Sequence, residues 1–341
     1  MSLAYGVLRG GGLCARVDGR ALDLSAVAGS LDELMERGPD FWGEARERLG
    51  EGEGVDSPEL AMPFEVADYV DFYSSLHHAR TVGLMFRPDA EPLLPNWLQM
   101  PVGYHGRSGT VVPSGTPVRR PSGQRGPGDY GPTRTLDIEL ELGFVIGVAS
   151  DGPVPVERAL DHVFGAVLLN DWSARDIQGW EYRPLGPFLG KSFATSISHW
   201  VVPLSELEPL RVPVERQEPE PLPYLREPTW AYDLPLQIEL NGAVVARSNA
   251  RHLYWSIAQQ IAHLTSNGAS LRVGDLLGSG TISGPQRDQR GCLLELSWAG
   301  QEPIELPDGS TRTFLEDGDE VVLRGEPLGE VRGTVVATPD P

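Results

Sequence analysis

A strict alternation of apolar and acidic residues runs through Leu136-Asp137-Ile138-Glu139-Leu140-Glu141-Leu142. Successive side chains of a β-strand point to opposite faces, so the apolar residues would share one face and the acids the other. The stretch therefore predicts a strand. Two interpretations of its acidic face remain open: a wet face of an antiparallel sheet, or a face that directs Glu139 and Glu141 at one cation.

A cation becomes necessary if Glu139 and Glu141 are both buried. Their Cα atoms would lie about 6.6 Å apart on a strand, where two unit charges repel by about 2.5 kcal/mol at an effective dielectric near 20. Carboxylates are hard donors, which favours Ca²⁺ or Mg²⁺. Asp71 and Asp171 are further candidate ligands, although each is explained equally well as the N-cap of a following turn.

The composition favours a turn-rich β protein. The 341 residues include 40 Gly and 30 Pro, and these residues weaken or break helix interiors. We expect a small N-terminal β domain with a helix over residues 1–60 and a catalytic β domain over residues 61–341. Within the first, Asp18-Gly19 predicts a hairpin. Within the second, the apolar spacing predicts a helix over Asn249–His263.

The formal charge of −20 argues against a nucleic-acid partner, which would require clustered Lys and Arg. An anionic substrate would therefore need local arginines or a metal to hold it. No apolar stretch approaches the roughly 18 residues that span a bilayer, and Met1–Gly12 lacks the features of a signal peptide. Two cysteines make neither a disulfide scaffold nor a zinc site. These features predict a cytoplasmic protein without membrane contacts.

One histidine is expected near the acids. His77 and His78 are adjacent and face different directions on any regular element, so at most one would share a site with Asp71. Glu295 lies in Leu293–Trp298, which we predict as a strand with Glu295 on its wet face. Motifs for a serine nucleophile elbow and for a phosphate-binding loop are missing from the sequence. An all-oxygen metal site with a nearby histidine remains.

Six segments, in order, resemble the fumarylacetoacetase family. They are Asp71–Ser75, Pro101–Arg107, Leu136–Glu141, Asn170–Gln178, Pro184–Ser192 and Ser279–Pro285. The likeness covers roughly residues 60 to 325. The Glu-x-Glu pair with its later Asp is shared by the wider superfamily, whereas the first two segments are specific to fumarylacetoacetase-type enzymes.

The resemblance implies a fold and a reaction. The fold is mainly β, with a small N-terminal SH3-like β-barrel and a large mixed β-sandwich roll, assembled as a homodimer. The reaction is hydrolysis of the carbon–carbon bond of 4-fumarylacetoacetate, a β-diketo dicarboxylate, to fumarate and acetoacetate. This is the last step of tyrosine and phenylalanine catabolism, and the implied cofactor is Ca²⁺ and/or Mg²⁺.

The resemblance also implies a role for individual residues. The implied metal ligands are Asp71, Glu139, Glu141 and Asp171, with Lys191 and Thr195 beside a second cation that a backbone oxygen would bind. The implied catalytic groups are His78 as general base, Glu295 as its orienting partner, and Arg175, Gln178 and Lys191 around developing negative oxygen. The implied substrate contacts are Tyr73, Arg87, Tyr104, Gln178, Tyr182 and Thr281.

Two other functions compete with this one. A related superfamily enzyme could act on a smaller keto acid as an acylpyruvate hydrolase, decarboxylase or hydratase, but the Tyr104-containing segment argues against it. A non-catalytic metal-binding scaffold is the other alternative. The joint presence of His78, Glu295 and Lys191 argues against that one.

Overall fold

A computed structural model describes residues 2–226 and 230–338. Parts of the two predicted domains, residue 1 and residues 227–229 and 339–341, lie outside the described residues. The helices are α1 (Leu31–Glu36), α2 (Gly38–Glu47), α3 (Leu76–Phe86), α4 (Arg175–Glu181), α5 (Leu204–Leu207), α6 (Ile257–Thr265) and α7 (Leu293–Leu296). None of the described helices has the length and apolar character needed to cross a membrane.

The strands confirm the mainly β fold. They are β1 (Leu3–Val7), β2 (Leu13–Val17), β3 (Arg20–Asp23), β4 (Glu53–Val55), β5 (Tyr69–Phe72), β6 (Gly103–His105), β7 (Val111–Pro113), β8 (Val118–Arg119), β9 (Ser122–Gly126), β10 (Asp129–Pro132), β11 (Leu136–Asp137), β12 (Leu140–Ile146), β13 (Val163–Asp171), β14 (Ser173–Ala174), β15 (Thr195–Ile197), β16 (Val202–Pro203), β17 (Arg211–Pro213), β18 (Trp230–Tyr232), β19 (Pro235–Leu240), β20 (Ala243–Asn249), β21 (Leu276–Gly278), β22 (Ile304–Glu305), β23 (Thr311–Arg312), β24 (Glu320–Gly325) and β25 (Gly329–Val336).

The N-terminal unit is an antiparallel four-stranded sheet in the order β1-β2-β3-β4, accompanied by α1 and α2. The predicted hairpin joins β2 to β3, with both Asp18 and Gly19 at positive φ. Tyr5 and Val201 exchange backbone hydrogen bonds of 2.8 and 2.7 Å, which attach the unit to the rest of the chain. The barrel form of this unit and its boundary at residue 60 stay predictions.

The central sheet has eight strands, in the order β6-β5-β21-β12-β13-β15-β7, with β16 beside β13. The predicted strand over 136–142 is divided into β11 and β12. Asp137 explains the interruption, because its carboxylate accepts hydrogen bonds from the N–H groups of Ile138, Leu293 and Leu294. The first bond occupies the N–H of Ile138 at the interruption, and the other two tie the chain to the start of α7.

Both faces of the central sheet are covered. Leu142 and Phe144 on β12 pack into a large core shared with the five-stranded sheet β20-β19-β24-β25-β8, whereas Val145 packs into the core of the N-terminal unit. The alternation of side chains is thus observed, and it separates two cores. The wet-face interpretation is wrong, since every residue from 136 to 142 is buried.

Two helices differ from the sequence-based expectations. The helix expected over Asn249–His263 begins later, at Ile257, where Ser256 and Gln259 form a capping box. The strand expected around Glu295 is wrong, because residues 293–296 form the short helix α7 and Glu295 is fully buried. The Asp137 carboxylate caps the first N–H groups of this helix, and an acceptor so distant in sequence leaves no local signal.

Candidate active site

Four carboxylates converge on one face of the central sheet. Asp71 lies on β5, Glu141 on β12 and Asp171 at the end of β13, and Glu139 immediately precedes β12. Each offers an oxygen, and these oxygens all lie within 4.8 Å of one another. All four residues are buried. Two ionised carboxylates at this separation repel each other by about 3.5 kcal/mol at an effective dielectric near 20.

A glycine leaves room between the carboxylates. Gly278 on β21 pairs with Asp71 on one side and with Gly143 on the other. A Cβ atom at Gly278 would lie 2.8 Å from Asp71 Oδ1 and 3.2 Å from Glu141 Oε2. Only a residue without a side chain permits this approach, so the space among the acids is part of the fold.

The acids fit a hard divalent cation. Within the described part of the chain, Asp71 Oδ1 and Glu141 Oε1 are buried and accept no hydrogen bond. Burial raises the pKa of Asp71 and of Glu141 well above their ordinary values, and the neighbouring carboxylates raise both further. A bound cation would reverse this by stabilising the ionised forms. Buried oxygen donors of this type are the ligands that Ca²⁺, Mg²⁺ and similar ions take.

Two cationic side chains border the cluster. Lys191 Nζ donates to Glu139 Oε2 and, at 2.7 Å, to Asp171 Oδ2. Arg175 Nη1 lies 2.8 Å from Glu139 Oε1. Arg175 Nε donates to Asp137 Oδ2, also at 2.8 Å. Burial lowers the pKa of Lys191, but Asp171 and Glu139 raise it by more. Both cations therefore stay charged at neutral pH and partly balance the acids.

Asp171 accepts two further hydrogen bonds. Tyr104 Oη donates to its Oδ2 at 3.0 Å, and Thr195 Oγ1 donates to its Oδ1 at 3.2 Å. Lys191 and Thr195, predicted beside a second cation, thus both touch the same carboxylate of the first cluster. The protonated Lys191 has no lone pair to offer a metal, so any ligand role at that residue would fall to its backbone oxygen.

A second group of residues forms a histidine–carboxylate pair. His78 is buried in the first turn of α3, and its Nδ1 lies 2.7 Å from Glu295 Oε2. Burial raises the pKa of Glu139, but Lys191 and Arg175 lower it by more, and His78 adds to the lowering, which links the pair electrostatically to the acid cluster. The ring of Tyr73 meets the imidazole edge to face at a centroid distance of 5.1 Å. His77, in contrast, is only half-buried.

Glu295 is held as a carboxylate. Ser283 Oγ donates to its Oε2 at 2.6 Å, and Cys292 Sγ donates to the same oxygen at 3.3 Å. Burial raises the pKa of Glu295, but His78 and these donors together lower it by more. The ionised form orients the imidazole, with Nδ1 directed at Glu295 and Nε2 left to interact with other groups.

The remaining predicted residues divide into two sets. Two of them lie at the site. Gln178 Oε1 accepts a hydrogen bond from Arg175 Nη1 at 3.2 Å. Thr281 is buried and follows Gly280, whose N–H donates to Glu141 Oε2 at 2.9 Å. Arg87 and Tyr182 lie apart from these contacts: Arg87 ends α3 and donates to Pro92 O at 2.6 Å, and Tyr182 is exposed beside Arg183.

Sequence reasoning missed three groups at this site. Ser283 and Cys292 hold Glu295, and Asp137 holds Arg175. Ser283 lies inside the Ser279–Pro285 segment, which the family resemblance had identified. The resemblance did not indicate the hydrogen bond from Ser283 to Glu295. Asp137 also lies inside a recognised segment, Leu136–Glu141, but its partner Arg175 is 38 positions away. Cys292 lies outside the six segments, three residues before Glu295.

A cavity of about 330 Å³ opens onto the acid cluster. Asp171, Lys191 and Tyr104 line its floor, and the largely exposed Phe188 and Leu189 line its mouth. Its size suits a small molecule with polar groups at one end.

The chain is similar to known proteins over most of its length. A family model described as the C-terminal region of fumarylacetoacetate hydrolase matches residues 68–336. Fumarylacetoacetase of Homo sapiens is 51% identical over 288 residues, which cover 80% of this chain and 69% of that protein. Fumarylacetoacetase of Oryza sativa subsp. japonica is 45% identical over 334 residues, covering 88% and 78%.

The chain belongs to the fumarylacetoacetate hydrolase family. Solved structures of other hydrolases share the fold of this chain. A fumarylacetoacetate hydrolase from Exiguobacterium antarcticum superposes with a TM-score of 0.66 at 18% identity, covering 99% of this chain and 100% of that one. Fumarylpyruvate hydrolase from Pseudomonas aeruginosa, solved with Mn²⁺ and pyruvate, gives 0.53 at 23% identity, covering 84% and 94%.

Proposed function

We propose that this member of the fumarylacetoacetate hydrolase family hydrolyses 4-fumarylacetoacetate to fumarate and acetoacetate. The observation that carries the proposal is the 2.7 Å contact between His78 Nδ1 and Glu295 Oε2 beside four buried carboxylates. A base beside a cation-binding cluster suits hydrolysis of a polarised carbonyl. The relatives at about 50% identity are fumarylacetoacetases, which supports this choice of substrate.

His78 is the proposed general base. With Nδ1–H donated to Glu295, Nε2 is free to take a proton from water, and the hydroxide adds to the carbonyl carbon next to the bond that breaks. Glu295 remains ionised and stabilises the imidazolium that forms. Base catalysis of this kind typically contributes about 10²- to 10⁴-fold.

Lys191 and Arg175 are the proposed stabilisers of negative oxygen, with Gln178 held beside them by Arg175. When the tetrahedral adduct collapses, the carbon–carbon bond breaks and its electron pair leaves with the acetoacetate part. The proton held by His78 returns to that carbon, which restores the neutral imidazole and completes the addition of one water. Preorganised cations lower the energy of such oxyanions because they need no reorganisation.

Asp71, Glu139, Glu141 and Asp171 are the residues proposed to hold the metal. A bound divalent cation would supply Lewis-acid polarisation of the substrate carbonyl. We infer Ca²⁺ or Mg²⁺ from the all-oxygen donor set. Tyr73, Tyr104 and Thr281 are proposed to orient the substrate, since Tyr73 packs against His78 and Tyr104 bonds Asp171. Arg87 and Tyr182 are proposed substrate contacts as well, although their own contacts are with Pro92 O and Arg183.

A cytoplasmic homodimer is the proposed form of the enzyme. The family resemblance in the sequence motivates the dimer, and the acidic chain without an apolar spanning stretch motivates the location. Gel filtration with light scattering tests the dimer, since a monomeric mass would contradict it.

The test is an assay on fumarylacetoacetate with controlled metal, in which fumarate is followed by chromatography. The purified chain should produce equal amounts of fumarate and acetoacetate, lose turnover after chelation, and regain it when Mg²⁺ or Ca²⁺ is added back. Full turnover in the chelated enzyme would contradict the metal role. Turnover of smaller acylpyruvates in preference to fumarylacetoacetate would contradict the substrate.

A further inference from the structure

A second cluster of metal-binding side chains lies outside the proposed active site. His77, Glu215 and His252 each offer a ligand atom, and these atoms all lie within 4.8 Å of one another. The two imidazole rings meet edge to face at a centroid distance of 5.7 Å. The donor set contains two nitrogens and one carboxylate oxygen, which differs in kind from the four carboxylates of the first cluster.

From this cluster we infer a second metal site, one that takes a single transition-metal ion of the Zn²⁺ class. Two histidines and a glutamate are a known ligand set for zinc, which leaves a fourth position open to water or another ligand. Imidazole nitrogen suits zinc, copper and nickel and is a poor ligand for Ca²⁺ or Mg²⁺. The site is therefore selective against the cations proposed for the acid cluster.

The three ligands have room to close on an ion. Bonds of about 2.0–2.2 Å to zinc bring ligand atoms somewhat closer together than 4.8 Å. Both histidines are half-buried and Glu215 is exposed, so small side-chain rotations suffice. None of the three makes an ion pair or side-chain hydrogen bond within the described ranges, so nothing has to be broken to form the site.

The backbones that carry the ligands are fixed to one another. Ser75, two residues before His77, forms a β-bridge with Leu253, the residue that follows His252. Gln217, two residues after Glu215, donates to Tyr254 O at 2.7 Å. Three segments distant in sequence are thus held together before any metal binds, which reduces the ordering that binding requires.

The protonation state of the histidines also suits a metal. Burial lowers the pKa of His77 and of His252 below the ordinary value for histidine. The neutral imidazole, which is the form that binds a metal, therefore predominates at pH 7. Proton competition should matter only in acidic solution.

Calorimetric titration of the full chain with Zn²⁺, in excess Mg²⁺ that fills the acid cluster, tests the site. Wild type should bind one more Zn²⁺ equivalent than His77→Ala or His252→Ala, and Glu215→Ala should weaken that equivalent. The matched control is His263→Ala, which removes a half-buried histidine that pairs with Tyr224. Any Zn²⁺ that displaces Mg²⁺ from the acid cluster would do so in every variant. The difference in bound Zn²⁺ between variants therefore reports the second site alone.

Replacement of Zn²⁺ by Co²⁺ gives a second readout that does not depend on turnover. Nitrogen ligation should produce a visible absorption band in wild type and in His263→Ala, and the band should be lost in His252→Ala. Equal zinc stoichiometry in wild type and in both ligand-histidine variants would overturn the inference, and so would loss of the band in the His263 control. Because Glu215 is exposed, its removal leaves the fold intact and keeps the test valid if a histidine variant is unstable.

Discussion

Nδ1 of His78 and Oε2 of Glu295 lie 2.7 Å apart although 217 positions separate the two residues in the chain. His78 enters from the first turn of α3 and Glu295 from the short helix α7. The contact therefore exists only when both helices are packed together. It directs one imidazole nitrogen into a hydrogen bond with the carboxylate and leaves the other for chemistry.

Removal of the proposed base should nearly abolish turnover. His78→Ala should lower kcat by about 10²- to 10⁴-fold, because it removes the group proposed to accept the proton from water. His77→Ala is the matched control, since it removes the adjacent imidazole, which does not contact Glu295, and it should lose far less. Steady-state assays with saturating Mg²⁺ measure both. Equal losses in the two variants would contradict the assignment.

The charge of Glu295 should contribute to stability in a defined pH range. The native pKa of Glu295 is lowered, so its contribution is fully present above the ordinary value of about 4.3 and is lost as pH falls through the native value. Glu295→Gln should destabilise the protein by about 1.5–3 kcal/mol at pH 7.

Urea unfolding of wild type and Glu295→Gln between pH 3 and 7 measures the pH effect. The difference between the two proteins should shrink towards acid pH. A constant difference across the range would show that the charge contributes nothing.

Ser283 should act as a positioning residue for Glu295. Its hydroxyl donates to Glu295 Oε2 at 2.6 Å and accepts from Gly291 N at 2.9 Å. Ser283→Ala should reduce kcat with little change in KM, because it loosens the carboxylate without touching substrate. The pH profile of kcat should shift as well, which a purely structural loss would not produce. Ser266→Ala, which removes an exposed hydroxyl bonded to a backbone carbonyl, is the control and should change neither.

Gly278 should control the affinity for the metal. In Gly278→Ala the added Cβ would lie 2.8 Å from Asp71 Oδ1, so the carboxylates must move apart. The Mg²⁺ concentration needed for half-maximal activity should rise markedly. Gly43→Ala on α2 adds a Cβ with nothing within 4 Å and is the control. An unchanged Mg²⁺ requirement in Gly278→Ala would show that the acids do not share one ion.

Much of the fold and part of the site follow from local patterns. The alternation in 136–142 predicted a strand, and Asp18-Gly19 predicted a hairpin, because both depend on neighbouring residues alone. The family resemblance supplied the list of site residues. It did not indicate that Arg87 would be tied to Pro92 O, because that contact depends on how the chain turns after α3.

The two-residue periodicity of 136–142 can be read from neighbouring residues, and the charge of −20 from the composition. The burial of the acidic face and the helical conformation at Glu295 become visible only in the folded chain. The physical reason is that burial and hydrogen-bond partners come from distant segments. Gly278 makes room for the acids, Asp137 caps α7, and the N-terminal unit covers a face that would otherwise be exposed to water.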